Sequence, residues 1–290
     1  MAELGRAPRP APFTVEGPGP RLKGDEVGEG LPIILLHGIT ATRRYVLHGS
    51  SALVRQGFEL VSYDARAHGE SEPAPEGEGY GYPELTADLG RVIVDRGAGR
   101  PVLCGHSMGC HTAAAYALEH ADELSAAILI GPVTLGLPPT EEVLARWDRL
   151  ADGLERGGVD GFMDAYEDNL EVGPAWRETV LRLTRERMQL HRHPVALARA
   201  IRELPRSIPF DGPAELESLD LPALVVASHD EADPGHPRAV AEAWAERLPR
   251  AELVSEEPGS SPLAWQGGRL SRAIGAFLTR ARLGPGRRQT

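Results

Sequence analysis

Cysteine is nearly absent from this 290-residue sequence, and its two copies, Cys104 and Cys110, are too few for a disulfide framework or a four-cysteine metal site. Cys104 lies in an apolar run and Cys110 in a helical one, the setting of small core residues. Lysine is reduced to Lys23 among 31 cationic residues, and 42 acidic residues leave a net charge of −11. Such a field repels phosphate backbones and no basic stripe interleaved with aromatics offsets it, so nucleic acid is not an expected partner. Long apolar runs are missing as well: stretches such as 31–36 and 126–130 fall far short of the roughly 20 residues a bilayer crossing needs. The opening MAELGRAPRPAPF has no continuous apolar segment and does not read as a secretory signal. The expectation is a cytoplasmic protein with no membrane partner. What is present, 41% hydrophobic and 25% charged residues, is the composition of a globular chain long enough for one large domain or two modest ones.

Residues 1–30 are rich in proline and glycine with weak, short alternation, so the sequence predicts a loosely attached arm there. Apolar runs of strand length then follow at 33–36, 60–63, 102–105, 127–130, 224–227 and 251–255, each flanked by turn formers. Helical spacing fills the intervals at about 45–56, 83–95, 108–120, 237–247 and 268–283, and in the last Leu270, Ile274, Phe277 and Leu278 recur on one face. This alternation predicts an α/β fold, a mostly parallel central sheet with helices on both faces. Between 130 and 221 only helical periodicity is left, cut by Gly157-Gly158, Gly173-Pro174 and Pro194 into about four helices. An insertion of that kind reads as a helical lid over the carboxyl ends of the strands, where such sheets bind ligands. The expected division is an arm over 1–30, a core over 31–132 and 214–284, a lid over 133–213 and a solvated tail over 285–290.

Chemistry enters with Gly105-His106-Ser107-Met108-Gly109, directly after one strand and directly before a helix. G-x-S-x-G in that context is a sharp turn that exposes the serine. Its glycines are needed because the turn brings strand end and helix start so close that side chains two residues either side of the serine would collide. The helix N-terminus adds unpaired N–H groups and a positive dipole end, suited to developing negative charge. His37-Gly38-Ile39-Thr40 follows the strand at 33–36, and Asp64-Ala65-Arg66-Ala67-His68-Gly69-Glu70-Ser71 follows the strand at 60–63.

Together these three segments resemble the α/β-hydrolase superfamily, and the resemblance runs from about residue 33 to 278. It implies a nucleophile at Ser107, an oxyanion hole from the backbone N–H groups of Ile39 and Met108, and substrate contacts at His37 and Gly38. It implies a structural role for the third segment, in which Ala67 stands where the family has a glycine and Asp64 and Arg66 tie loops together. Epoxide hydrolases and haloalkane dehalogenases of this superfamily carry aspartate at the position of Ser107 and are disfavoured. The first 30 residues depart from the pattern, since the family's leading pair of antiparallel strands is abbreviated or missing here.

A serine hydroxyl needs a general base, normally a histidine oriented by a carboxylate, and the family's chain order is serine, acid, histidine. The acid belongs after the strand at 224–227. Asp230 fits by distance from that strand; Asp233 fits better by distance to the following helix. The histidine belongs after 251–255, but 256–265 contains none, and no histidine follows His236 anywhere. His236 itself, three residues past Asp233, has a spacing that allows a shared turn. His111, one helical turn beyond Ser107, and His106 beside it suit packing roles better. Glu256 or Glu257 could offer a carboxylate base where the histidine is missing. If none serves, the scaffold is a lyase- or cyclase-type enzyme or a small-molecule binding protein.

The helical insertion carries Trp147, Phe162, Met163, Tyr166, Trp176 and Met188 at helical spacings. Trp147 and Tyr166 are the expected roof of the substrate site, which points to a small, largely apolar molecule with one polar reacting group. His191-Arg192-His193 ends one of these helices; two histidines two residues apart share no helix face, and a C-terminal capping role suits them better than metal binding. No metal or cofactor is expected. The sequence therefore predicts a hydrolase acting through an acyl-enzyme on an ester or lactone of a small molecule.

Overall fold

An eight-stranded sheet organises the computed structural model, which describes residues 9–284 and Gly286. Its strands are β1 (Ala11–Val15), β2 (Leu22–Val27), β3 (Pro32–Leu36), β4 (Glu59–Tyr63), β5 (Val102–His106), β6 (Ala126–Ile130), β7 (Ala223–Val226) and β8 (Ala251–Val254), in the spatial order β1-β2-β4-β3-β5-β6-β7-β8. The helices are α1 (Ala52–Arg55), α2 (Tyr82–Asp95), α3 (Met108–His120), α4 (Glu141–Asp168), α5 (Pro174–Met188), α6 (Pro194–Glu203), α7 (Arg238–Arg247) and α8 (Gly267–Arg280). Every pairing from β4 across to β8 is parallel, and β1 and β2 add antiparallel strands at one edge.

That edge corrects the expectation of a loose arm. Residues 11–27 form the leading antiparallel pair, with Val15 opposite Leu22 and both buried. Phe13 lies directly opposite Gly24, where a Cβ would come within 2.2 Å of the phenyl ring, so this glycine gives an aromatic side chain room to lie flat. The rest of the predicted arm at 1–8, and the predicted tail apart from Gly286, lie outside the described residues.

β3, β6 and β7 are buried along their whole length, the physical reason they read as unbroken apolar runs. Ile34 and Leu36 join the layer built with α2, α3 and α7, while Ile33 and Leu35 face the layer of α1 and α8. In α8, Leu270, Ile274, Phe277 and Leu278 are all buried, each stabilising the fold by about 1.5–3 kcal/mol. The helix predicted over 45–56 shrinks to a 3-10 turn at Arg43–Tyr45 and the short α1, because His48 (φ 47°) and Gly49 (φ 73°) are left-handed and stop it.

Between β6 and β7 the chain makes α4, α5 and α6. α4 reverses at Gly158 (φ 59°, ψ −143°), so the insertion holds four helical segments. The reversal packs Gly153 against Gly161 so closely that a Cβ on either would lie 2.3 Å from the other's carbonyl oxygen. Leu150, Phe162, Met163, Met188 and Leu197 share one apolar cluster with Ile39, Ala65 and Met108, which follow β3, β4 and β5. The insertion thus lies over the carboxyl ends of the central strands. Among the described residues no helix is long and apolar enough to cross a membrane.

Candidate active site

Ser107 sits at the tip between β5 and α3 with φ 55° and ψ −115°, a conformation that costs a non-glycine residue about 1–3 kcal/mol. The surroundings enforce it. A Cβ on Gly105 would stand 2.1 Å from the carbonyl oxygen of Gly109, and one on Gly109 would stand 2.2 Å from that of Leu36. Gly38 approaches from the loop after β3, its Cβ position 3.3 Å from that of Ser107. The serine is half-buried, and its hydroxyl makes no hydrogen bond among the described residues. The N–H groups of Ile39 and Met108 are likewise without a partner among those residues.

The loop after β3 is held from behind by histidines. His37 is buried, donates from Nδ1 to the Gly38 carbonyl at 2.9 Å, and accepts the Ala65 N–H at Nε2, also at 2.9 Å. Both its nitrogens are used, so the structure gives it a loop-holding role in place of the expected substrate contact. Burial pushes its pKa well down, with His68 adding to the effect. His68 bridges the Arg66 and Ile39 carbonyls, at 2.9 and 2.7 Å. With the carbonyls turned back to these rings, the Ile39 N–H is left to the other side. Beyond the loop, Arg66 grips Asp88 through two hydrogen bonds of 2.8 and 3.0 Å, and Ala67 takes the left-handed φ of 63° that a glycine would adopt without strain.

Asp233 and His236 share a turn after β7. The His236 N–H donates to the Asp233 carbonyl (3.1 Å), and the ring Nδ1 lies 2.8 Å from Asp233 Oδ1. Burial alone would raise the Asp233 pKa; the charge and hydrogen bond of His236, with charge from His106 and Arg187, outweigh it and hold the carboxyl below its ordinary range. The His236 ring packs on Gly131 at the end of β6 and lies 4.8 Å, centroid to centroid, from the ring of His106, the neighbour of Ser107. Burial, aided by His236 and opposed by Asp233, drives His106 down to about 3.

The other candidates have other work. Asp230 accepts the Arg238 N–H at 2.7 Å and so closes the start of α7. Glu256 is buried with both oxygens used, accepting the His229 N–H (2.7 Å) and the Leu263 N–H (2.8 Å), which makes it a strut between the loops after β7 and β8 and removes it as a base. Glu257 is exposed. His111 accepts the Val133 N–H at Nε2 (3.0 Å), and burial, then His236, pushes it down to about 3. Among the described residues no three His, Cys, Asp or Glu side chains converge as metal ligands.

The family model described as "Alpha/beta hydrolase family" matches residues 33–269. The chain belongs to that family. It is 30% identical over 159 residues to a non-heme haloperoxidase of Rhodococcus erythropolis, covering 54% of this chain and 55% of the relative. It is 32% identical over 143 residues to epoxide hydrolase A of Mycobacterium tuberculosis, covering 48% and 44%. The chain spans about half the length of the curated relatives it matches. Among solved structures, a thermophilic esterase from Thermogutta terrifontis, described as malate bound, superposes with a TM-score of 0.75 at 25% identity, over 94% of this chain and 99% of the other.

Trp147 and Tyr166 lie partly buried in the cluster that contains Ile39 and Met108, Tyr166 stacked on Phe162 at 6.0 Å. His191, expected to cap a helix, instead accepts the Gly69 N–H at Nδ1 (2.9 Å) and lies 5.6 Å from the His68 ring. Arg187, which drew no notice in the sequence, lies on the inward side of α5 beside the buried Thr184 and Met188, with its Nε buried. The only signal for it was its spacing of three from Thr184, and that spacing means nothing until Thr184 is known to face inward.

Proposed function

We propose that this chain is a serine hydrolase that opens an ester or lactone of a small, largely apolar molecule through an acyl-enzyme, with Ser107 as nucleophile and His236 as general base. The observation that carries the reading is the Asp233–His236 pair, a hydrogen bond of 2.8 Å whose ring stands beside His106 and hence beside the serine turn. An Nδ1–H donated to an ionised aspartate leaves the Nε2 lone pair free, the tautomer a base requires. On this reading the histidine missing after β8 is replaced from the acid's own turn. Kinship with an esterase fits; epoxide-opening members of the superfamily carry aspartate where this chain has Ser107.

Ser107 Oγ attacks the carbonyl carbon as its proton passes to His236 Nε2, and Asp233 balances the imidazolium. The N–H groups of Ile39 and Met108 take the negative charge of the tetrahedral oxygen, each contributing about 3 kcal/mol. Collapse breaks the bond to the leaving oxygen, which receives the proton from His236. Water then attacks the acyl carbonyl, giving its proton to His236, and Ser107 departs with that proton, releasing the acid. The apolar side chains of Ile39, Met108 and Met188 pack in one cluster beneath the insertion, which serves as a lid.

Labelling with a fluorophosphonate tests the assignment. Wild type takes up the probe at Ser107, Ser107→Ala takes up none, and His236→Gln reacts about 100-fold or more slowly, the usual share of a general base. A folded wild-type protein that does not react would favour the lyase, cyclase or binding-protein reading.

A further inference from the structure

Helix α5 bridges the two halves of the candidate site. At its start the Gly173 N–H donates to the Glu231 carbonyl in the Asp233 loop (3.1 Å), and Trp176 meets Trp265 edge-on at 6.1 Å. Just past its end the Arg192 N–H donates to the Gly69 carbonyl (3.0 Å), and His191 accepts the Gly69 N–H. The helix is therefore fastened to the acid loop at one end and to the turn after β4 at the other. Thr184 and Met188 are its buried residues, and Met188 shares its cluster with Ile39 and Met108. Arg187 stands on that same inward side.

Three other arginines of α5 each hold a carboxylate on the surface: Arg177 with Glu167, Arg182 with Glu186 and Arg185 with Asp160. Arg187 differs. Its Nη2 donates to Thr184 Oγ1 at 3.0 Å, its Nε is buried without a hydrogen-bond partner, and among the described residues no carboxylate lies within 4 Å of it. Its neighbour Met188 is buried in the cluster that contains Ile39 and Met108, and the positive charge of Arg187 makes a small contribution at Asp233, His106, His48 and His191, below that of burial. An inward guanidinium with no counter-ion is costly, and its planar fork suits a carboxylate. Among the described residues no side chain supplies that anion.

We propose that Arg187 receives a carboxylate of the substrate, so that the ester or lactone opened at Ser107 carries an acidic end beyond an apolar stem. The inference rests on the hydrolase reading for its substrate but not for its anion site, and two measurements separate them. The first compares kcat/KM for the p-nitrophenyl half-ester of glutaric acid with that for p-nitrophenyl valerate, which has the same chain length without the charge. Wild type favours the half-ester, and Arg187→Gln lowers that preference about 10- to 100-fold, the worth of one charge-assisted contact, chiefly through KM. Arg187→Lys restores part of it. The second is calorimetric binding of glutarate, which needs no turnover: wild type binds it and Arg187→Gln does not. An ester preference indifferent to Arg187→Gln and Arg187→Lys, or glutarate binding that is absent from wild type or equal in the variant, would overturn the proposal. Glutarate binding lost in Arg187→Gln with neither ester cleaved by wild type would sustain the anion site and remove the hydrolase reading instead.

Discussion

Around Ser107 the backbone is fixed by contacts too close for any side chain, whereas around His236 it is fixed by side chains that reach from loop to loop. Gly105 and Gly109 leave just over 2 Å to the nearest carbonyl oxygens from the position of a Cβ. In the other half Glu256 joins the loops after β7 and β8, Glu231 accepts the Gly259 N–H at 3.0 Å, and Gly259 has nothing within 4 Å of its Cβ position. A turn built by sterics tolerates one local sequence and so reads as a motif. A loop pair built by polar struts tolerates many, provided each buried polar group keeps a partner, and a histidine can then sit in one loop or the other.

Substitutions sharpen the contrast. Gly109→Ala drives a methyl into the Leu36 carbonyl and is expected to cost about 3 kcal/mol or more, a fall in the thermal midpoint of roughly 10 °C. Gly259→Ala, strained by its φ of 76° but facing open space, should cost only about 1–2 kcal/mol. Equal losses in the two would erase the distinction. Glu256→Gln turns an amide N–H₂ toward a backbone donor; stability should drop by about 1–3 kcal/mol on chemical denaturation, with kcat falling as the Asp233 turn loosens. An unchanged kcat would mean that this strut does not position the base.

His37 and His111, both on the Ser107 side, each accept a backbone N–H and are buried neutral. Their folded pKa values lie below the unfolded one, so as pH falls the unfolded chain gains protons first. Stability is complete above about pH 6.5 and declines below it, by up to about 1.4 kcal/mol per pH unit for each ring. Urea unfolding from pH 7 to 5 measures this, and a flat profile would contradict the neutral assignment. The smallest effect belongs to Ala67→Gly. Relief of the left-handed alanine, about 1–2 kcal/mol, exceeds the roughly 0.8 kcal/mol lost with a buried methyl, so the midpoint should rise by about 1–3 °C.

The same contrast governs what could be read from the residues. The central strands and α2, α3, α7 and α8 were legible because both-face burial and helical stripes impose periodicity, and Ser107 because its glycines have no alternative. The leading strands were not, since Pro and Gly dominate 1–30 and the compensation, Phe13 over Gly24, lies across the sheet. Spacing favoured Asp233 over Asp230 only slightly, and the structure sets one against His236 and the other against the Arg238 N–H. His191 accepts the N–H of Gly69 from far along the chain, and no local pattern encodes that.

In the proposed mechanism His236 activates Ser107 from the acid's own loop. A double-mutant cycle on p-nitrophenyl butyrate hydrolysis, with Ser107→Ala, His236→Gln and both together, addresses it directly. Residues that act as one unit lose together: each single variant should fall by about 10³-fold or more, and the double variant no lower than Ser107→Ala alone. A His236→Gln enzyme that keeps the wild-type rate would contradict it.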